Sequence, residues 1–249
     1  MSQTTVVLET AGDVARVTLN RPDILNAGHR AWVREMVDIV NRLAEAPPRV
    51  VVVTGAGRAF CTGVDLKALA AGDFGLDDFI AWESMMVALE GLDCLTIAAI
   101  NGHCVGGGLQ LALVCDYRLA SEGALIGLPA VKECLIPSMA LYRLPRLIGV
   151  SRAKELILLG DLVTAREAER YGLLNRVVSA LDFPQVLEET IERFRSLPGA
   201  SARASKSLVA RAFDLDFEAF REAMQERLRA CLADQEHRQA MDAIRGRLT

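Results

Sequence analysis

The chain has 249 residues, of which 51% are hydrophobic and only 5% aromatic, and it carries a formal net charge of −4. That length builds one large domain, or one domain with an appendage, and its core must be filled by aliphatic side chains. The mild acidity and the lack of a basic stripe interleaved with aromatics exclude a nucleic-acid partner, no apolar run of roughly 18 residues offers a membrane span, and the histidines have no ligand spacing, which leaves no metal expected.

Residues 6–8 and 14–19 read as two strands around an Ala11-Gly12-Asp13 turn. Residues 28–46 read as a helix, because Val33, Met36, Val37, Val40, Leu43 and Ala44 recur at three- and four-residue steps and Pro47-Pro48 then stops it. The β-branched run 50–53 fits a strand buried on both faces. Thr54-Gly55-Ala56-Gly57-Arg58 invites a phosphate-loop reading but lacks the terminal Gly-Lys-Ser/Thr of that motif, so a tight turn is expected.

Next comes the stretch Arg58-Ala59-Phe60-Cys61-Thr62-Gly63-Val64-Asp65-Leu66-Lys67, a glycine turn leading into a helix that Asp65 is placed to cap. Asp73, Asp77 and Asp78 read as surface or capping residues at the start of a helix over 77–92. A strand over 95–100 leads to a second glycine turn, Asn101-Gly102-His103-Cys104-Val105-Gly106-Gly107-Gly108-Leu109-Gln110, which opens a short helix over 107–114. Strands are expected over 117–120 and 124–128.

From about Ser138 the pattern becomes mainly helical, with Ser138 itself a candidate cap. Thr164 and Glu167 form a capping box and Gly172 is the stop, followed by a short strand over 174–178. Asp182 with Pro184 and Gln185 marks another helix start, and residues 200–248 are helix formers with charged faces. The result is an α/β core followed by a helical C-terminal region. The six cysteines lack paired spacing and are expected to be buried free thiols, and residues 1–5 carry no basic-then-apolar signal, so the expected compartment is the cytoplasm.

The chemistry is expected at the two glycine turns. Two such turns meeting in space can offer two main-chain N–H groups to one oxygen, the arrangement that stabilises an oxyanion growing on a carbonyl. Taken alone, Gly106-Gly107-Gly108 serves equally well to let a strand and a helix pack closely. Gln110 lies one helical turn beyond Gly107 on the same face, where its carboxamide either holds a water or substrate carbonyl or satisfies nearby backbone. Glu133 is a candidate acid–base carboxylate, or else an exposed partner of Lys132. His103 is read as structural. No Gly-x-Ser-x-Gly elbow supports a serine hydrolase.

The two turns, with Leu19-Asn20-Arg21-Pro22 and Leu25-Asn26-Ala27 before them and Cys115-Asp116, Leu144-Pro145-Arg146-Leu147-Ile148-Gly149 and the segment 165–178 after them, resemble the enoyl-CoA hydratase/isomerase (crotonase) family over nearly the whole chain. The resemblance implies a crotonase-like superhelix of β-β-α repeats over 1–197. It also implies a helical region over 198–249 that packs between subunits of a homotrimer or dimer of trimers. The implied ligand is an acyl-CoA thioester, with no cofactor beyond the coenzyme A of the substrate. The N–H groups of Val64 and Gly107 become the oxyanion donors, with Gln110 and Glu133 as the remaining catalytic candidates. Leu25, Ala27, Cys61, Gly63, Asp65, Leu66, Lys67 and Ala130 become candidate contacts to coenzyme A and the acyl group.

The departure from the family lies in the acid–base residues. Where its hydratases carry two glutamates, this chain has Gln110 and Ala130, and where some isomerases carry an aspartate after Ile-Pro it has Ser138. Weak or absent enoyl-CoA hydration is therefore expected. The alternatives are decarboxylation, C–C cleavage or thioester hydrolysis on the same scaffold, or a non-catalytic acyl-CoA-binding subunit.

Overall fold

The computed structural model describes residues 4–248; Met1 to Gln3 and Thr249, which belong to the readings of the two chain ends, lie outside the described residues. Strands β1 (Val6–Ala11) and β2 (Val14–Leu19) form the expected antiparallel hairpin. A short 3₁₀ turn, Pro22–Ile24, precedes α1 (Arg30–Glu45). The helix starts two residues later than its apolar pattern indicates, because His29 is its cap: the Trp32 N–H donates to His29 Nδ1 at 3.2 Å. Trp32, Val33, Met36, Ile39, Val40 and Leu43 are its buried face.

Three repeats follow, each with two strands and then helix. They comprise β3 (Val50–Gly55) and β4 (Ala59–Cys61) with α2 (Leu66–Ala70) and α3 (Leu76–Glu90); β5 (Leu95–Ile100) and β6 (His103–Val105) with α4 (Gly107–Leu113); and β7 (Tyr117–Ser121) and β8 (Leu125–Gly127), then a 3₁₀ turn (Pro129–Glu133) and α5 (Ala140–Leu159). Strand β9 (Val163–Thr164), α6 (Ala165–Arg170), β10 (Arg176–Val178) and α7 (Phe183–Arg195) complete the core. Thr164 and Glu167 make the capping box, and Gly172 turns with φ +81°. The C-terminal helices are α8 (Gly199–Ala210), α9 (Phe217–Ala233) and α10 (Gln235–Leu248).

The first strand of every repeat enters one six-stranded sheet, ordered β1-β2-β3-β5-β7-β10, and the second enters a four-stranded sheet, β4-β6-β8-β9. Within a repeat series the pairing is parallel in both sheets. The second sheet is absent from the sequence-based expectations, except for its β8 segment. Its strands β4 and β6 are three residues long and lie inside the two glycine motifs.

The core confirms strand burial on both faces. Val51 and Val53 join the apolar cluster between the sheets and helices, while Val50 and Val52 join a second cluster under Phe183, Val186, Leu187 and Ile191 of α7. Two cations pass through this interior with hydrogen-bonded guanidinium groups. Arg118 donates to the carbonyls of Leu173 and Cys115, both at 2.8 Å, and Arg143 pairs with Glu83 and Glu90, both at 2.8 Å.

Among the described residues no helix is long and apolar enough to cross a membrane. Helices α8 and α9 fully bury none of their residues, and Val209, Phe213, Phe217, Leu228, Leu232 and Ile244 stand exposed on the C-terminal region.

Candidate active site

Parallel strands in one sheet end on the same edge. The chain leaves β4, β6 and β8 at that edge of the smaller sheet, and each time it turns towards helix. The first turn carries Val64, the second Gly107, and the third Ala130 and Glu133.

The first turn is fastened by Asn26. Its side-chain oxygen accepts the Arg21 N–H at 2.8 Å, and its amide nitrogen donates to the carbonyls of Ala56 at 2.9 Å and Ala59 at 2.8 Å. This draws the segment after Leu25 alongside the turn. The Gly28 N–H donates to the Gly63 carbonyl, and the Asp65 N–H donates to the Gly28 carbonyl, each at 2.8 Å. Gly28 thus bridges the two residues that flank Val64. In parallel pairing the intervening residue points its own N–H to the opposite side, so the Val64 N–H faces away from Gly28 and has no acceptor among the described residues. Gly63 is needed twice: its φ is +91°, and a Cβ there would lie 2.7 Å from the Gly107 nitrogen. The two glycine turns therefore touch.

In the second turn Gly106 takes φ +57° and ψ −124°, a conformation open to glycine, and it aims the first N–H groups of α4 out of the sheet edge. The Gly107 N–H, in the first turn of the helix, has no acceptor among the described residues. A Cβ on Gly107 would meet Trp82 Cζ2 at 2.9 Å and Gly63 Cα at 3.3 Å. A side chain at position 107 would therefore crowd the site's own floor. Gln110 is buried, and its Oε1 has no partner among the described residues. The reading in which Gln110 satisfies nearby backbone is not met, since its carboxamide makes no bond among the described residues.

The third turn differs. Lys132 turns away to pair with Asp161 at 2.9 Å, which leaves Glu133 without a partner among the described residues. Cys134 and Ser138 both take positive φ, +60° and +39°. Ser138 does not cap the next helix: Met139 is at the N-cap position and no side chain bonds the helix start.

A cavity of about 280 Å³ lies where the turns converge. Gly63, Val64, Leu66, Gly107, Gln110, Ala130, Glu133 and Ser138 all line it, and so do Phe79, Trp82 and Leu135, which the sequence did not single out, and Ile136, which it marked only as part of the Ile-Pro pair. Trp82 left one signal, being one of only two tryptophans in the chain. Glu133 is the one ionisable side chain in the lining, and no cation accompanies it.

Leu25, Ala27, Cys61, Asp65 and Lys67 lie outside this lining. Cys61 is a correction to the expected coenzyme A contact, since it is wholly enclosed. Its thiol donates to the Asn26 carbonyl at 3.2 Å, and burial pushes it up to about 12. Asp65 caps α2, accepting from the N–H groups of Lys67 at 3.1 Å and Ala68 at 3.4 Å, and pairs with Arg21 at 3.3 Å. His103 ties β6 to β8 by accepting the Leu125 N–H at 3.4 Å.

All six cysteines are free, but Cys134 is exposed and Cys231 half-buried, so burial holds only for Cys61, Cys94, Cys104 and Cys115. Desolvation raises all four buried thiols and keeps them protonated, not nucleophilic. Among the described residues no group of three or more His, Cys, Asp or Glu is placed to hold a metal.

Comparison with known proteins bears on the whole of this architecture. A family model described as enoyl-CoA hydratase/isomerase matches residues 9–247. A short-chain-enoyl-CoA hydratase of Clostridium acetobutylicum is 32% identical over 249 residues, covering 98% of this chain and 95% of that one. An enoyl-CoA hydratase of Bacillus anthracis has the same fold, with a TM-score of 0.91 at 32% identity, covering 98% of this chain and 97% of that one. A Thermobifida fusca protein assigned as an enoyl-CoA hydratase and solved in complex with CoA has a TM-score of 0.83 at 31% identity, covering 92% and 93%.

Proposed function

The chain belongs to the enoyl-CoA hydratase/isomerase family, and on that premise we propose that it binds an acyl-CoA thioester and stabilises its enolate. The N–H groups of Val64 and Gly107 donate to the thioester oxygen. The observation that carries this reading is that both donors lack an acceptor among the described residues and border one cavity. Donors aimed at a developing oxyanion contribute most where water is excluded, and losing one costs about 3 kcal/mol of transition-state stabilisation.

The acid–base chemistry falls to Glu133, the single carboxylate of the lining. Hydration by a pair of glutamates has no counterpart here, because Gln110 and Ala130 occupy those positions. One carboxylate suffices for a 3-enoyl to 2-enoyl isomerisation. Glu133 takes a proton from Cα, the electron pair moves into a dienolate held by the two N–H groups, and the same carboxyl returns the proton at Cγ. Gln110 holds a neutral hydrogen-bonding group beside Cβ. The lining has no cation to meet an acyl carboxylate, which favours neutral acyl groups over malonyl-type substrates.

Leu66 at the rim is a contact for the pantetheine arm, with the backbone of Leu25, Ala27, Gly63 and Asp65 behind it. Lys67, exposed and without a partner among the described residues, faces the phosphates. No cofactor beyond the coenzyme A of the substrate is invoked, and the cytoplasm is the proposed compartment. The exposed apolar side chains of α8 to α10 support contacts between subunits of a homotrimer or dimer of trimers, made by the region from 198 onwards.

The test is direct. Butyryl-CoA should bind, crotonyl-CoA hydration should fall below the usual enzyme range of about 1–10³ s⁻¹, and 3-hexenoyl-CoA should be isomerised. Failure of butyryl-CoA to bind would sink the acyl-CoA reading. Hydration within the usual range would sink the single-carboxylate reading, and binding without turnover across neutral and malonyl-type thioesters would make the protein a binding subunit.

A further inference from the structure

We propose that Trp82 is the positioning residue that sets the spacing between the two oxyanion donors. The inference rests on the reading of Val64 and Gly107 as those donors. Trp82 is 3% exposed and lies between Gly107 of the second turn and Gly28, the residue that holds the first. A Cβ built on Gly28 would lie 2.4 Å from Trp82 Cζ3 and 2.6 Å from Cη2; one built on Gly107 would lie 2.9 Å from Cζ2 and 3.3 Å from Cε2. The same rigid ring therefore presses on the second turn at Gly107 and, on its next edge, on the backbone that holds the first turn. Gly28 fixes Val64 through its two main-chain bonds to Gly63 and Asp65.

The plate itself is held from behind. Trp82 stacks on Trp32 of α1, with ring centroids 4.4 Å apart and planes at 23°, and Phe74 meets it edge-on at 6.3 Å. The atoms in contact belong to the benzo ring of the indole, the part that a phenylalanine does not reach. The indole nitrogen is not what the site uses, since Trp82 Nε1 is buried with no partner among the described residues. The N–H is desolvated at a cost, and what the ring supplies to both glycines is its width. Donor spacing matters because a misplacement of roughly 1 Å costs about a hundredfold in rate.

The probe is butyryl-CoA labelled with ¹³C at the thioester carbonyl, read by difference infrared spectroscopy on the full chain. In the unaltered protein the carbonyl band should move to lower frequency on binding. Trp82→Phe should lose roughly half of that movement or more, with turnover down about a hundredfold and affinity for free coenzyme A unchanged. A naphthylalanine at position 82, which restores the second ring without the N–H, should restore the band.

A full band shift in Trp82→Phe, even with a lowered melting temperature, would overturn the proposal and leave Trp82 as core packing. Should Trp82→Phe fail to fold, the naphthylalanine protein decides: a full shift supports ring width, and a lost shift overturns it. A band that does not move in the unaltered protein would instead remove the oxyanion reading on which the inference rests.

Discussion

The turns of the first two repeats and the turn of the third do different work. At Val64 and Gly107 the useful groups are main-chain N–H groups. They are fixed by pairing to Gly28, by the Gly63 to Gly107 contact and by the Trp82 ring. Among the described residues the third turn has none of these three fastenings and is tied only on its outer side, by the Lys132 to Asp161 pair. It runs through a 3₁₀ segment and two non-glycine residues at positive φ, and what it brings to the cavity is a side chain, Glu133. In the proposed reading the fastened turns grip a group common to every thioester, whereas the third turn decides what happens to the acyl chain. On that reading the chemistry of this chain can change at the third turn without disturbing the first two.

The largest expected effect breaks the two roles apart. Glu133→Gln removes the acid–base group and leaves the donors in place. Turnover of 3-hexenoyl-CoA should fall about 10²- to 10⁴-fold. Urea stability should stay within about 0.5 kcal/mol, as for an exposed substitution, and butyryl-CoA affinity should hold. Equal losses in binding and turnover would mean that the third turn also grips. Gly63→Ala attacks the fastened side. It forces a side chain into φ +91° and a Cβ against the Gly107 nitrogen, so stability should fall by about 1–3 kcal/mol. Turnover should fall about 10²- to 10³-fold as the donors separate, read by urea denaturation and by the assay.

The fastened turns were legible in the sequence because glycine is what close approach and positive φ demand, and the residues around them matched a known order of motifs. The second sheet was not, because strands such as Ala59–Cys61 and His103–Val105 are too short to display an alternating pattern. Trp82 was hidden for another reason. It sits in a helix apolar on nearly every side, with Phe79, Ile80, Met85 and Val87 as neighbours, and its contacts to Gly28 and Gly107 exist only after folding. Ser138 misled because serine before a helix reads as a cap, whereas at φ +39° it cannot take the extended backbone that a cap requires. Glu133 was legible as a residue but not as a free one, since the Lys132 to Asp161 pair joins positions far apart in the chain.

A gain of function sharpens the contrast. If the fastened turns already hold the thioester correctly, restoring carboxylates at the two family positions should supply what hydration lacks. Gln110→Glu combined with Ala130→Glu should raise crotonyl-CoA hydration about tenfold or more over the unaltered chain. No gain, with butyryl-CoA still bound, would mean that the third turn holds the acyl group in a pose unsuited to hydration.

The smallest effect concerns the fastening of the first turn. His29 follows Gly28 and caps α1 by accepting the Trp32 N–H at its Nδ1, which requires the neutral ring. Burial, aided by the charge of Arg21 and opposed by those of Asp65 and Glu35, holds its pKa below the usual histidine value of 6.5. Unfolded chains therefore bind more protons than folded ones between that lowered pKa and 6.5, so stability rises with pH across the window. The contribution is full above about 6.5 and is lost as pH falls through the folded-state value. Urea titrations from pH 8 to pH 5 should show His29→Asn, which keeps a capping acceptor without titrating, losing less stability on acidification than the unaltered chain. The difference should be about 0.5–1 kcal/mol, within the range of a helix cap. Parallel losses in the two proteins would assign the acid sensitivity elsewhere. Butyryl-CoA affinity falling at the same pH only in the histidine protein would tie the cap to the Val64 donor through Gly28.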